Sequence, residues 1–273
     1  MQTEAIKRME NPSSKERFAH LTPEEKADLL EEYLAEELNE AAKSTAGPRP
    51  MPTTADIESA IEGRTFRRGV GTLFVAPEGN EVKHLPPIPQ GHRLEDFFHL
   101  RFMGAAKHCL QSANLAMKKG ASEEVILACL LHDTVQCLMR VDHGWWAAQI
   151  YEPYVSEKVA FAIRYHQALR FYPDQEAGYR YPTLYHVLFG EDYKPEPYIE
   201  ATYKMVRDHK WYGDARLVTA NDLYSFEPNV NPQLEQFADI IGRHFKQPKE
   251  GLGYDGSPVA HMWRSIEMPD RCL

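Results

Sequence analysis

ILACLLHDTVQCLMRVDH, residues Ile126 to His143, opens as an unbroken apolar run and then sets a histidine beside an aspartate, His132–Asp133. A second acid–histidine pair, Asp142–His143, follows ten residues on. The apolar run predicts a buried helix, started by Ser122 as N-cap with Glu123 and Glu124 in its first turn. Burying an imidazole next to a carboxylate is costly unless something pairs with both. No such partner lies within the helix itself.

Helix-type spacing continues on both sides of this stretch. Segments near 96–119, 122–140, 144–151, 155–170, 197–208, 213–225 and 231–246 predict helices, so the body reads as all-α. Upstream, Thr22–Lys43 opens with Thr22 as N-cap, Pro23 at the first helical position and Glu25 at the third. Its stripe of Leu29, Leu30, Tyr33, Leu34 and Leu38 predicts an amphipathic helix, and Ser44–Thr54 reads as a linker. Thr72–Val75, a turn at Pro77–Asn80 and Val82 onward predict a β-hairpin within residues 70–86. It is read as an appendage, with a lid or a dimerisation arm (and hence a homodimer) as the alternatives. Residues 1–93 thus form an N-terminal extension, 94–246 a helical domain, and 247–273 a coil that wraps back over it.

The net charge of −9 argues against nucleic acid or an anionic membrane as partner, while an anionic small substrate stays open because a metal or a few arginines reverse the local field. Cys109, Cys129, Cys137 and Cys272 have no CxxC spacing, which sets aside a zinc knuckle or disulfide framework and suits a reducing cytoplasm. The N-terminal stretch has no apolar leader region, and no run reaches the length of a membrane span. The expectation is a soluble cytoplasmic protein.

The histidines and acids on apolar-flanked helical positions form a set. His108 lies in MGAAKHCLQSANLA, His132 and Asp133 end ILACLLHD, and His143 opens HGWWAAQIYEP. His166 continues the stripe Val155, Val159, Ala162, His166, Leu169, whose spacings of four, three, four and three place it on a buried face. Asp222 falls on the stripe Ala215, Val218, Asp222, Phe226. Each alone reads as a hydrogen-bonded core residue, a cap or half of an ion pair. Together, four imidazoles and two carboxylates suit divalent metals, and six side chains serve two ions if Asp133 bridges them.

His108 followed by His132–Asp133, within AKHCLQSANLAMKKGASEEVILACLLHD, resembles the metal-dependent HD-domain superfamily of helical bundles. The ordered set H…HD…H…H…D is similar to its dinuclear members over roughly residues 100–228. GASEEVILACLLHD, the 23-residue interval from His143 to His166, and ARLVTAND resemble the mixed-valent di-iron oxygenase branch of phosphonate-cleaving and myo-inositol oxygenases. The resemblance implies that His108, His132, Asp133 and Asp222 hold one iron, and that Asp133, His143 and His166 hold the other. It implies two iron ions (Fe2+/Fe3+), O2 as co-substrate, and oxidation of a C–H bond in a small polar, anionic organic molecule.

Arg170, four residues after His166, stands where the phosphonate oxygenases carry a substrate-contacting basic residue, and its fork suits a carboxylate or phosphonate. A surface arginine on the last helical turn is the plain alternative. Gln136 stands where HD proteins usually carry a charged residue after the HD pair, a departure that weakens the case for phosphate hydrolysis. The aromatic-rich stretch Arg170–Tyr198 reads as a substrate loop, with Tyr172, Tyr179, Arg180, Tyr181 and Tyr185 as lining residues and a surface wrap as the alternative. Two rivals to the oxygenase remain. One is an HD phosphohydrolase using Mn2+ or Mg2+ on a nucleotide or other phosphate ester. The other is a degenerate HD scaffold serving as a binding module. His186, His209, His244 and His261 read as ordinary residues, and Gly144–Trp146 as packing.

Overall fold

The computed structural model describes residues 85–268 apart from 137, 138, 140, 141 and 228, together with Thr22, Glu25 and three short strands further upstream. The strands are β1 (Gly69–Val70), β2 (Leu73–Val75) and β3 (Val82–His84), joined as an antiparallel meander. Leu73 faces His84 and Val75 faces Val82, which is the expected hairpin, and β1 adds a third strand. Of the expected helix at 22–43, Thr22 and Glu25 exchange the two reciprocal bonds of a capping box. The rest of that helix and the Ser44–Thr54 linker lie outside the described residues.

The body is all-α: α1 (Leu94–Leu100), α2 (Met103–Lys118), α3 (Glu123–Leu131), α4 (His143–Tyr151), α5 (Glu157–Leu169), α6 (Thr183–Phe189), α7 (Pro197–Arg207), α8 (Tyr212–Leu223), α9 (Ala238–His244) and α10 (Ala260–Glu267). A 3-10 turn, Leu234–Phe237, leads into α9. Helix α3 is the axis of the bundle. Every residue from Val125 to Leu131 is buried, and the helix packs against α2, α5, α8 and α9. Each large aliphatic side chain buried there contributes about 1.5–3 kcal/mol, which explains why a helix with no polar face sits at the centre. Ser122 and Ser156 cap α3 and α5 as their positions require, accepting from Val125 N and Val159 N.

Besides the expected 231–246 helix, which is a 3-10 turn followed by the shorter α9, four boundaries differ from the sequence reading. The helix expected over 96–119 is two, because the backbone N–H groups of Arg101 and Phe102 both turn onto the Phe97 carbonyl. The bend buries Phe102 and frees the Arg101 guanidinium to donate to the carbonyls of Pro86 and Glu267. The helix expected over 122–140 stops at Leu131, where the Thr134 hydroxyl takes the Leu131 carbonyl at 2.9 Å. The aromatic stretch contains α6, flanked by Pro182 and Gly190. The C-terminal segment is not a coil throughout: α10 buries Ala260, Trp263 and Ile266 at three-residue spacing.

The C-terminal segment does return over the bundle. Trp263 packs edge-on to Phe97 and Tyr151, and Leu252 N donates to the His92 carbonyl. Gly251 permits that close approach, because its φ is +91° and a Cβ there would meet the Gly91 backbone at 3.2 Å. Among the described residues no helix is long and apolar enough to cross a membrane.

Candidate metal centre

Five elements converge on one buried point. α2 brings His108, the end of α3 brings His132 and Asp133, the start of α4 brings His143, α5 brings His166, and α8 brings Asp222. The early stop of α3 is what makes this work, since it lets His132 and Asp133 leave the helix on its core-facing end. Thr134 anchors that turn, its hydroxyl lying 2.6 Å from the Tyr151 hydroxyl on α4. Asp142, before His143, has φ 53° and is the one non-glycine residue with positive φ among those described. Backbone in this sparsely populated region, immediately before a converging histidine, fits a site that dictates local geometry.

The six side chains fall into two groups that share Asp133. One is His108, His132, Asp133 and Asp222; the other is Asp133, His143 and His166, and the donor atoms within each lie within 4.8 Å of one another. Asp133 Oδ1 is 2.8 Å from His143 Nε2, 3.5 Å from His166 Nε2 and 3.6 Å from His132 Nε2. Asp222 Oδ1 is 2.9 Å from His108 Nε2 and 3.7 Å from His132 Nε2. These are the two groups that the family resemblance implied.

Two ring nitrogens are already committed. His132 Nδ1 lies 2.7 Å from the Cys129 carbonyl and His166 Nδ1 2.7 Å from the Ile163 carbonyl. Each carbonyl fixes the proton on Nδ1 and turns the Nε2 lone pair to the cluster, the arrangement that metal-binding imidazoles need. Thr219 on α8 donates to the His166 carbonyl at 2.8 Å, tying the next helix to this one.

A metal fits this donor set on an observation independent of resemblance. His132 Nε2 and Asp133 Oδ1 are buried with no hydrogen-bond partner, the close approach of His143 to Asp133 not being aligned as a bond. Leaving two such groups orphaned costs about 1–3 kcal/mol each, and both atoms point into the cluster that a cation would complete. Four imidazole nitrogens and two carboxylates suit borderline first-row divalent ions.

The electrostatics match. Burial works against ionised Asp133, but His132, His143 and His166 outweigh it and hold the carboxyl well below its usual range. Asp222 is likewise held low against burial, by Arg170, His108 and His132. Burial, joined by the charges of His132 and His143, pulls His166 down to about 4 against the opposing pull of Asp133. Burial also pulls on His132, yet Asp133 and Asp222 reverse the sign and raise it to about 9. Without a cation, His132 therefore keeps a proton that a metal must displace. Metal affinity is expected to rise by up to about tenfold per pH unit through neutrality and to level off near pH 9. Titrations at several pH values check this, and an affinity that does not change between about pH 6 and pH 8 would contradict it.

The remaining expected site residues divide. Arg170 is no surface arginine: its Nη2 donates to Asp222 Oδ2 at 2.8 Å and its buried Nε has no partner. Gln136 donates to Asp133 Oδ2 at 3.0 Å, so the residue that departs from the usual motif touches the shared carboxylate. Tyr179 is buried and donates to the Arg170 carbonyl at 2.8 Å, which makes it a support of Arg170 rather than an open lining residue. Tyr185 lies beneath the Arg170 guanidinium at 5.9 Å, with Tyr181 edge-on to it. Tyr172 is committed elsewhere, stacked at 3.8 Å on Tyr203 of α7. His209 stacks on Phe161 and His244 pairs with Glu123, in keeping with ordinary roles.

Gly144 carries more than packing. A Cβ there would lie 2.7 Å from the Ile163 carbonyl oxygen and 2.9 Å from the His166 ring. The glycine directly after His143 is therefore what lets α4 and α5 approach closely enough for His143 and His166 to share Asp133. Alanine in a helix is normally favoured by about 1 kcal/mol over glycine, but forced overpacking against backbone costs about 1–3 kcal/mol. Gly144→Ala is expected to lose up to about 2 kcal/mol net in denaturant unfolding, and a gain in stability would refute the close approach.

No family model matches the chain, and a search of curated proteins returns no match.

Proposed function

We propose that the chain is an HD-type dinuclear metalloenzyme of the oxygenase kind, using O2 to oxidise a C–H bond in a small, polar, anionic organic substrate. The observation that carries the reading is the sharing of Asp133 by two buried donor groups, with its Oδ1 orphaned. His108, His132, Asp133 and Asp222 would hold one iron, and Asp133, His143 and His166 the other. Iron bound there would supply the oxygen-activating and electron-transfer chemistry that side chains lack.

The protein's own part is positional. Arg170 reaches the edge of the cluster through Asp222 and keeps its Nε available as a donor to an anion, in a setting where burial opposes its charge but nearby Tyr185, Asp222 and Asp133 favour it. Tyr179 fixes the Arg170 backbone, and Tyr185 covers the guanidinium face. Gln136 orients the shared carboxylate by its amide, without adding a charge that would bind phosphate. Buried apolar residues of α2, α3 and α5 pack around the core side of the cluster.

A phosphohydrolase is the second reading, favoured by Arg170 beside two metal groups, where it would hold a phosphate. Metal analysis with low-temperature EPR on aerobically purified protein separates them. The oxygenase reading expects two irons per chain and the signal of a coupled mixed-valent pair. Manganese or magnesium, with phosphate released from nucleotides, would overturn it in favour of hydrolysis.

A further inference from the structure

His108 is the odd ligand of the cluster. His132 and His166 are fully buried, whereas the His108 side chain is 17% exposed. The other two have an Nδ1 pinned by a carbonyl of their own helix; beside His108 Nδ1, among the described residues, stands the Ser225 hydroxyl at 3.5 Å. Its ring face is covered by Phe226, stacked at 4.7 Å with the planes 18° apart.

Phe226 was expected on the inner face of α8 but lies past its end at Leu223, and it is 50% exposed. Phe226 is half-exposed, and the ring contact it makes among the described residues is with the His108 imidazole. The loop carrying it is preset. Gln111, one turn beyond His108 on α2, donates to the carbonyls of Glu227 at 2.6 Å and Val230 at 2.7 Å. The same helix that carries the histidine thus holds the loop that braces it.

We infer that Ser225 and Phe226 are positioning residues for His108 and set how tightly the first donor group holds its metal. The inference rests on the metal reading of the cluster and is independent of the oxygenase reaction. Ser225 Oγ donates to the Asp222 carbonyl at 3.1 Å, which leaves a lone pair facing His108. A metal in this group takes the bare Nε2, and the ring's remaining proton then sits on Nδ1, where Ser225 accepts it. At 3.5 Å that bond is weak, so the stacked ring carries most of the brace.

The test uses the full-length chain carrying His143→Ala, which leaves the first group intact, with Co2+ as an optically visible probe titrated against a chelator. Phe226→Ala in that background is expected to weaken Co2+ binding by about 10–100-fold, and Ser225→Ala by a smaller factor. Phe226→Tyr, which keeps the stacked ring, is expected to stay within about threefold of its parent. Equal Co2+ affinity in the Phe226→Ala and parent chains would overturn the inference, as would equal losses in Phe226→Tyr and Phe226→Ala. Failure of the unaltered chain to take up any metal would overturn the metal reading and this inference with it.

Discussion

Asp133→Ala is expected to strip both metals, because Asp133 belongs to both donor groups. Activity should fall by well over a hundredfold, beyond the 10–100-fold that loss of a supporting outer residue costs. His143→Ala should behave differently, since it touches one group only and leaves His108, His132, Asp133 and Asp222 in place. Metal content by elemental analysis then reads near zero in the first variant and near one ion per chain in the second. Full retention of two ions in Asp133→Ala would show that the carboxylate is not shared.

Chelation of the bound ions should lower the thermal midpoint of the whole chain. The cluster is held by five separate elements, so a metal that binds the folded form alone stabilises the bundle rather than one loop. At a hundredfold excess over its dissociation constant, each ion adds about 2.7 kcal/mol. With about 2–4 °C per kcal/mol for a domain of this size, loss of two ions predicts a drop of about 10 °C or more. Differential scanning calorimetry before and after chelation measures it, with an unchanged midpoint as the contrary result. Acid should act in the same direction, because Asp133 and Asp222 are held ionised below their ordinary range. Their stabilising contribution is present above the ordinary carboxylate pKa and is lost as the pH falls through the lowered folded values.

Part of the candidate donor cluster was legible in the sequence because helical periodicity exposes an intruder. His166 interrupts an otherwise apolar stripe that is buried as expected from Val155 to Leu169, and Asp222 does the same on α8. The apolar run of α3 likewise announced the centre of the bundle. Features that depend on contacts far apart in the chain were not legible. Nothing local to Arg101 says that its guanidinium will reach Glu267, so the break between α1 and α2 was missed. Helix α10 was hidden by its glycine- and proline-rich approach, although Ala260, Trp263 and Ile266 carry a helical spacing. Phe226 was placed inside because its stripe was extended one turn past the true end of α8. Gly144 gave a signal in retrospect: a glycine directly after a ligand histidine marks a point where another helix must come close.

The shared-carboxylate arrangement is tested most directly by crystals of the metal-loaded chain measured at the iron absorption edge. Two anomalous peaks are expected, both within about 2.0–2.2 Å of Asp133 oxygens, one also at His108, His132 and Asp222 and the other at His143 and His166. A single peak, or peaks that do not both contact Asp133, would contradict the account.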